Sequence, residues 1–257
     1  MRFAHESKQP CAKRRLHQEI TMNVRHWQPR FERRFYLGVS LVFLALVFWT
    51  FARTFYLKAF FATPALSPLL HIHGMVMSGW VVLLVAQTSL IAAHRVQWHR
   101  RLGVFGAGWA VLVVILGSIT TVHAAAREVR GHTAQAAEFV TVMGLDLLQM
   151  LFFAGFVAAA IWLRRRSDYH KRLMLLTIAC LLPDALARLP GNFITDPLIL
   201  LGMNGWVLAC VAIDTLRHRR LHPVFGWGGA VFLGAFNLAL PLMNTPVWIT
   251  FASRLVS

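Results

Sequence analysis

The chain has 257 residues, of which 57% are apolar and 14% charged, and its mean hydropathy is +0.57. A water-soluble domain of that composition is excluded by the apolar surface it would expose, so a bilayer is the expected solvent. The net charge of +16 also raises nucleic-acid binding, but no nucleic-acid-binding motif accompanies the basic residues, and no nucleic acid is expected as a partner.

Residues 1–35 read as a basic cytoplasmic tail carrying Lys13, Arg14, Arg15, Arg25, Arg30, Arg33 and Arg34. They hold too many charges, and no apolar stretch of their own, for a cleaved signal; Met22 is an alternative start. Seven apolar segments follow, at 36–56, 69–93, 102–126, 139–163, 173–189, 197–215 and 225–242. At 1.5 Å per residue, about 20 residues cross a hydrocarbon core of roughly 30 Å, and segments of about this length recur down the chain. The fifth is the shortest and contains Pro183, Asp184 and Arg188. The expected fold is therefore all-α: a polytopic membrane protein with a seven-helix transmembrane domain over 36–245 and a short tail over 246–257.

Positive charge sets the orientation, because loops rich in Lys and Arg stay in the cytoplasm during insertion. The tail, Arg95/Arg100/Arg101, Arg164/Arg165/Arg166/Lys171/Arg172 and Arg217/Arg219/Arg220 lie on one side and hold about 20 of the 26 basic residues. The N-terminus is expected in the cytoplasm and the C-terminus outside, in the inner membrane of a bacterium, with anionic headgroups against the basic face. Trp27, Trp98, Trp162 and Trp227 fall at cytoplasmic boundaries and Trp248 at the outer one. Cys11 is cytoplasmic and Cys180 and Cys210 lie within spans, so no disulfide framework is available. CxxC, HExxH, Walker-type and GxGxxG signatures are absent, and no internal repeat is evident.

Polar residues inside the spans carry the functional signal, since an ionisable group in hydrocarbon costs a few kcal/mol and asks for a partner or a purpose. His73, His123, Asp146, Gln149, Asp184 and Arg188 are expected at one level near the outer ends of their helices, with Asn204 and Asn237 in the outer half or near the middle. At 100° per residue His71 and His73 point roughly 160° apart, so one of them at most faces inward, and His73 is chosen. His73 and Gln87 project within about 40° of each other. Asp146 shares a face with Gln149, and Asp184 with Arg188. Two imidazoles on adjacent helices at matching depth are what a bis-histidine haem b or a transition metal requires, with His73 and His123 as ligands and Arg188 on a propionate. Asp146 and Asp184 would then orient imidazoles or carry protons. His94, His99, His170, His218 and His222 sit among arginines at the cytoplasmic helix ends and read as solvated.

The stretch His73-Gly-Met-Val-Met-Ser-Gly-Trp80, followed by Trp98-His-Arg-Arg-Leu-Gly103, resembles the HGxxM and HRxLG segments of cytochrome b561-like membrane proteins. With Asp168-Tyr-His-Lys-Arg-Leu-Met174 it also resembles uncharacterised bacterial polytopic families that place a histidine-arginine signature at cytoplasmic helix ends. The resemblance implies haem binding and electron transfer with an unidentified redox partner, and carries His73, His99 and His170 as candidate ligands. A seven-span zinc hydrolase is disfavoured because the last span lacks an HxxxH pair. The function expected is an inner-membrane protein with an outer-leaflet polar pocket, haem- or metal-binding and redox-linked. The alternatives are a small-solute or proton transporter and a cofactor-free sensor or assembly protein.

Overall fold

The computed structural model describes residues 11–189 and 196–257, with side chains described from Phe31 onward except that of Asp196. The basic tail up to Arg30, with Trp27, Cys11 and Met22, lies outside the described side chains. Among the described residues every regular element is helical. The helices are α1 (Cys11–Phe51, continuing through a wider turn at Ala52–Tyr56), α2 (Pro68–Ala92), α3 (Val96–Arg130), α4 (Ala136–Trp162), α5 (Ser167–Leu186), α6 (Asp196–His218), α7 (Ala230–Met243, entered by a wide turn at Val224–Gly229) and α8 (Pro246–Val256).

Six of these segments are long and apolar enough to cross a membrane: Phe31–Tyr56, Pro68–Ala92, Val96–Arg130, Ala136–Trp162, Pro197–His218 and Val224–Met243. The chain is thus built as a multi-pass membrane protein. The fifth apolar segment is not among the six because α5 opens on Asp168, His170, Lys171 and Arg172 and carries Asp184 near its other end. It is nonetheless the most enclosed helix, with an unbroken buried run from Leu175 to Leu182, packed between α4, α6 and α1. Two further departures concern length. The helix over the third segment runs from Val96 to Arg130, and the expected C-terminal tail is the helix α8, lying across the ends of α3 and α4.

Local chemistry explains the boundaries. Ser67 and Thr245 cap α2 and α8, accepting from the amides of Leu70 and Trp248 at 3.3 Å, each with proline at the first helical position. Connections after α2, α3 and α6 turn through left-handed residues, His94, His132 and Arg219. Close approach of α2 and α3 depends on Gly79, where any Cβ would strike the Trp109 ring; that indole in turn donates to the Val76 carbonyl at 2.9 Å. The core is filled by Phe43, Trp80, Val113, Phe153, Leu176, Met203 and Phe232. Trp98, Trp162 and Trp227 stand exposed at the arginine-rich end, where amphipathic rings suit a headgroup layer.

At the arginine-rich end α5 is tied to its neighbours by charge. Arg172 bonds both oxygens of Asp214 on α6, at 2.9 Å through Nε and 2.7 Å through Nη2, and its Nη1 caps the Asp168 carbonyl at 2.8 Å. Both side chains are almost fully enclosed, 3% and 5% exposed. Lys171 donates to Glu32 of α1 at 2.6 Å, and the other oxygen of Glu32 meets His218 Nε2 at 2.8 Å. Removing one partner of a buried pair strands the other, so Asp214→Ala should cost about 3–5 kcal/mol of stability. Replacing both partners with Arg172→Met and Asp214→Leu should recover most of it, as thermal unfolding in detergent will read.

Candidate functional site

Two polar centres stand at opposite ends of the bundle. The first gathers around the C-terminal end of α5. Asp146 on α4 accepts from Thr121 Oγ1 of α3 at 2.8 Å, and Gln149, one turn further along α4, donates through Nε2 to Asp184 Oδ2 at 2.9 Å. Asp184 and Arg188 lie within electrostatic reach of both Asp146 and His73. Among the described residues Arg188 does not pair with a carboxylate. Its Nη1 donates to the Asp184 carbonyl at 2.8 Å and its guanidinium lies over the Phe51 ring, 4.7 Å from the centroid. His73 Nδ1 is enclosed without a hydrogen-bond partner. Among the described residues neither Asp146 nor Asp184 forms an ion pair.

Thus His73, Asp146, Gln149, Asp184 and Arg188 come together, whereas three of the expected residues do not join them. His123 is exposed and makes none of these contacts: Thr121 faces Asp146, and a residue two further along a helix points roughly 160° away. Asn204 and Asn237 bond each other reciprocally, both at 3.1 Å, on the perimeter between α6 and α7, which makes them an interhelical clasp.

The second centre is a cavity of about 380 Å³ enclosed by α1 to α5 toward the arginine-rich end. Its walls are Trp80, Leu83 and Leu84 of α2, Gly103, Gly106 and Ala107 of α3, Val157 and Ile161 of α4, and Met174, Leu175 and Ile178 of α5. Its polar end holds His99, His170 and Gln87, with Glu32, Arg33 and Lys171 alongside. His99 and His170, from different helices, present rings 6.1 Å apart at 84° to each other. His170 Nδ1 lies 2.9 Å from the Ala160 carbonyl, which can only accept, so that nitrogen carries the proton. The Gln87 carboxamide lies against the start of α3; because the Gly103 amide can only donate, the orientation that satisfies it puts the Gln87 oxygen 2.9 Å from that amide and the nitrogen 2.6 Å from His99 Nδ1 and 3.1 Å from the His99 carbonyl. Among the described residues no group of three or more His, Cys, Asp or Glu is placed to hold a metal ion.

Of the histidines read as solvated, His99 and His170 are half-buried and line one shared pocket, and His222 is buried. Hydropathy hides them because their helices begin in basic loops. One signal was present: α3 and α5 open on the same aromatic-histidine-basic-arginine-leucine pattern, Trp98-His-Arg-Arg-Leu102 and Tyr169-His-Lys-Arg-Leu173.

His222, in the connection before α7, packs edge-on against Tyr169 and accepts from the Val224 amide through Nδ1 at 3.2 Å. Burial, and then the Arg172 charge, push its pKa below the usual 6.5, only partly opposed by Asp168 at 3.4 Å. A folded state that holds this imidazole neutral binds fewer protons than the unfolded chain, so the contribution is fully present above pH 6.5 and lost as pH falls below it. Thermal stability in detergent should drop on acidification below that point, by at most about 1.4 kcal/mol per pH unit for one proton. His222→Phe should flatten that part of the profile.

No family model, curated protein or solved structure matches the chain.

Proposed function

We propose that the chain is a redox-linked integral membrane protein of the bacterial cytoplasmic membrane, and that its redox-active group occupies the cavity enclosed by α1 to α5. In this reading α5 is the seventh crossing: its 20 residues extend about 30 Å, and its charged ends are covered by neighbouring helices. Seven crossings put the N-terminus and the arginine-rich end in the cytoplasm and the C-terminus, with α8, outside. The exposed Arg34, Arg95, Arg100, Arg101, Arg164, Arg165, Arg219 and Arg220 then meet anionic headgroups.

The observation that carries the reading is the His99–His170 pair at the polar end of a mostly apolar chamber. Haem b or a transition metal is the group that the resemblance to cytochrome b561-like proteins implies. Two imidazoles holding one metal ion at about 2 Å from each nitrogen have ring centroids roughly 6 Å apart, so the pair suits that role in number and spacing. The hydrogen bonds do not suit it. Gln87 occupies His99 Nδ1 as a donor, which leaves the proton on Nε2, and a protonated nitrogen is no ligand. A second reading, proton or small-solute transport, is favoured by the unpaired Asp146 and Asp184 beside His73.

Protein purified in detergent should carry a redox-active species, seen in a reduced-minus-oxidised absorption spectrum, in elemental analysis or in an organic extract, and should lose it in His170→Ala. A well-folded protein with none of these would overturn the redox reading. For the topology, a reporter active only outside the cytoplasm should be active when fused after Ser257 and silent when placed between Arg164 and Arg166. The reverse pattern would overturn the orientation.

A further inference from the structure

The two imidazoles of the cavity are not equivalent, and the main chain makes them so. His170 gives its Nδ1 proton to the Ala160 carbonyl, so its Nε2 is a bare acceptor. His99 is set the other way by Gln87. The Gly103 amide can only donate, which fixes the Gln87 oxygen toward it and turns the Gln87 amide nitrogen onto His99 Nδ1. In the neutral ring Nδ1 is then the acceptor and Nε2 carries the hydrogen. In the neutral rings these contacts leave His99 Nε2 a donor and His170 Nε2 an acceptor, and among the described residues no hydrogen bond joins the two rings, whose centroids are 6.1 Å apart.

A hydroxyl group satisfies both at once, because its oxygen accepts one hydrogen bond while its hydrogen makes another. A metal ion does not, since it needs a bare nitrogen from each ring. The chamber is otherwise mostly apolar, with Leu83, Gly106, Val157 and Ile178 in its walls, although Tyr36 Oη and Trp80 Nε1, which also line it, are buried without a partner among the described residues; its volume falls in the range of small-molecule sites. The charged groups beside it are already paired: Lys171 with Glu32 at 2.6 Å and Arg33 with His94 at 3.0 Å. Nothing there calls for an ionic head.

We propose that the cavity binds a neutral apolar molecule through a single hydroxyl held between the rings, His99 Nε2–H donating to the hydroxyl oxygen and His170 Nε2 accepting its hydrogen. The phenolic hydroxyl of a membrane quinol and the hydroxyl of a long-chain lipid alcohol share this chemistry. The inference rests on the reading of the cavity as the functional site and names what that site recognises.

The test uses the full chain in detergent and calorimetric titration with dodecylhydroquinone, with farnesol, and with the methyl ether of each. An ether keeps the oxygen acceptor and loses the hydrogen that His170 needs, so the free hydroxyl should bind on the order of ten-fold more tightly. The probe that binds separates quinol from alcohol, and mass spectrometry of an organic extract identifies the natural occupant. His170→Phe should abolish the preference. Gln87→Glu is the sharper variant, because a carboxylate at this position can only accept from His99 Nδ1 and thereby strips the hydrogen from Nε2. With both rings then accepting, it should bind the ether and the hydroxyl more weakly, keep the preference for hydroxyl because that hydrogen still has His170 to donate to, and gain nickel or zinc binding. Equal affinity for hydroxyl and ether in the unaltered chain, or an ether affinity that Gln87→Glu leaves unchanged, would overturn the proposal. A haem absorption band or stoichiometric metal that disappears in His99→Ala would overturn it while leaving a redox-active group in the cavity. Absence of every probe, pigment and extractable ligand would overturn both.

Discussion

A charge left in hydrocarbon costs several kcal/mol unless it is paired or hydrogen-bonded, and this constraint decides where α5 goes. With Lys171, Arg172 and Asp184 on one helix, α5 has no tolerable place at the bundle surface. Surrounded by α1, α4 and α6, each of those groups finds a partner: Glu32 for Lys171, Asp214 for Arg172 and Gln149 for Asp184. The apolar helices serve as its solvent. Both polar centres of the protein follow from that placement, since one forms at each end of α5.

The two centres differ in what their chemistry asks for. At the end near Asp184, carboxylates accept from neutral donors, and a guanidinium close by spends itself on an aromatic face and a carbonyl. At the arginine-rich end the charges neutralise one another beside the cavity, and the imidazoles that line it are oriented by hydrogen bonds, His170 by the Ala160 carbonyl and His99 by Gln87. A backbone carbonyl and a backbone amide set those orientations, so they are insensitive to most side-chain changes in the walls.

The amino-acid sequence conveys the helical membrane frame well, because long apolar runs have few alternatives in a bilayer. It conveys α5 less well: its burial comes from neighbours rather than from its own composition. Depth along a helix follows from counting residues, so Asp146, Asp184 and His73 can be set at one level without coordinates. Azimuth does not follow. His123 shares that level yet faces outward, and Asn204 finds Asn237 only because α6 and α7 happen to cross there. The Gln87–His99–Gly103 contact was beyond reach for a further reason, since it depends on a side chain entering the first turn of another helix. Positive charge around His99 and His170 in the sequence concealed how far inside those rings lie.

Three consecutive residues of α5 point in three directions about 100° apart, and each is engaged: His170 inside the bundle, Lys171 on α1, Arg172 on α6. Any twist of α5 about its own axis would break all three attachments together. The helix is keyed like a splined shaft. Rotation about its axis is the motion that these attachments together oppose, and it is the one that would carry His170 away from the cavity wall.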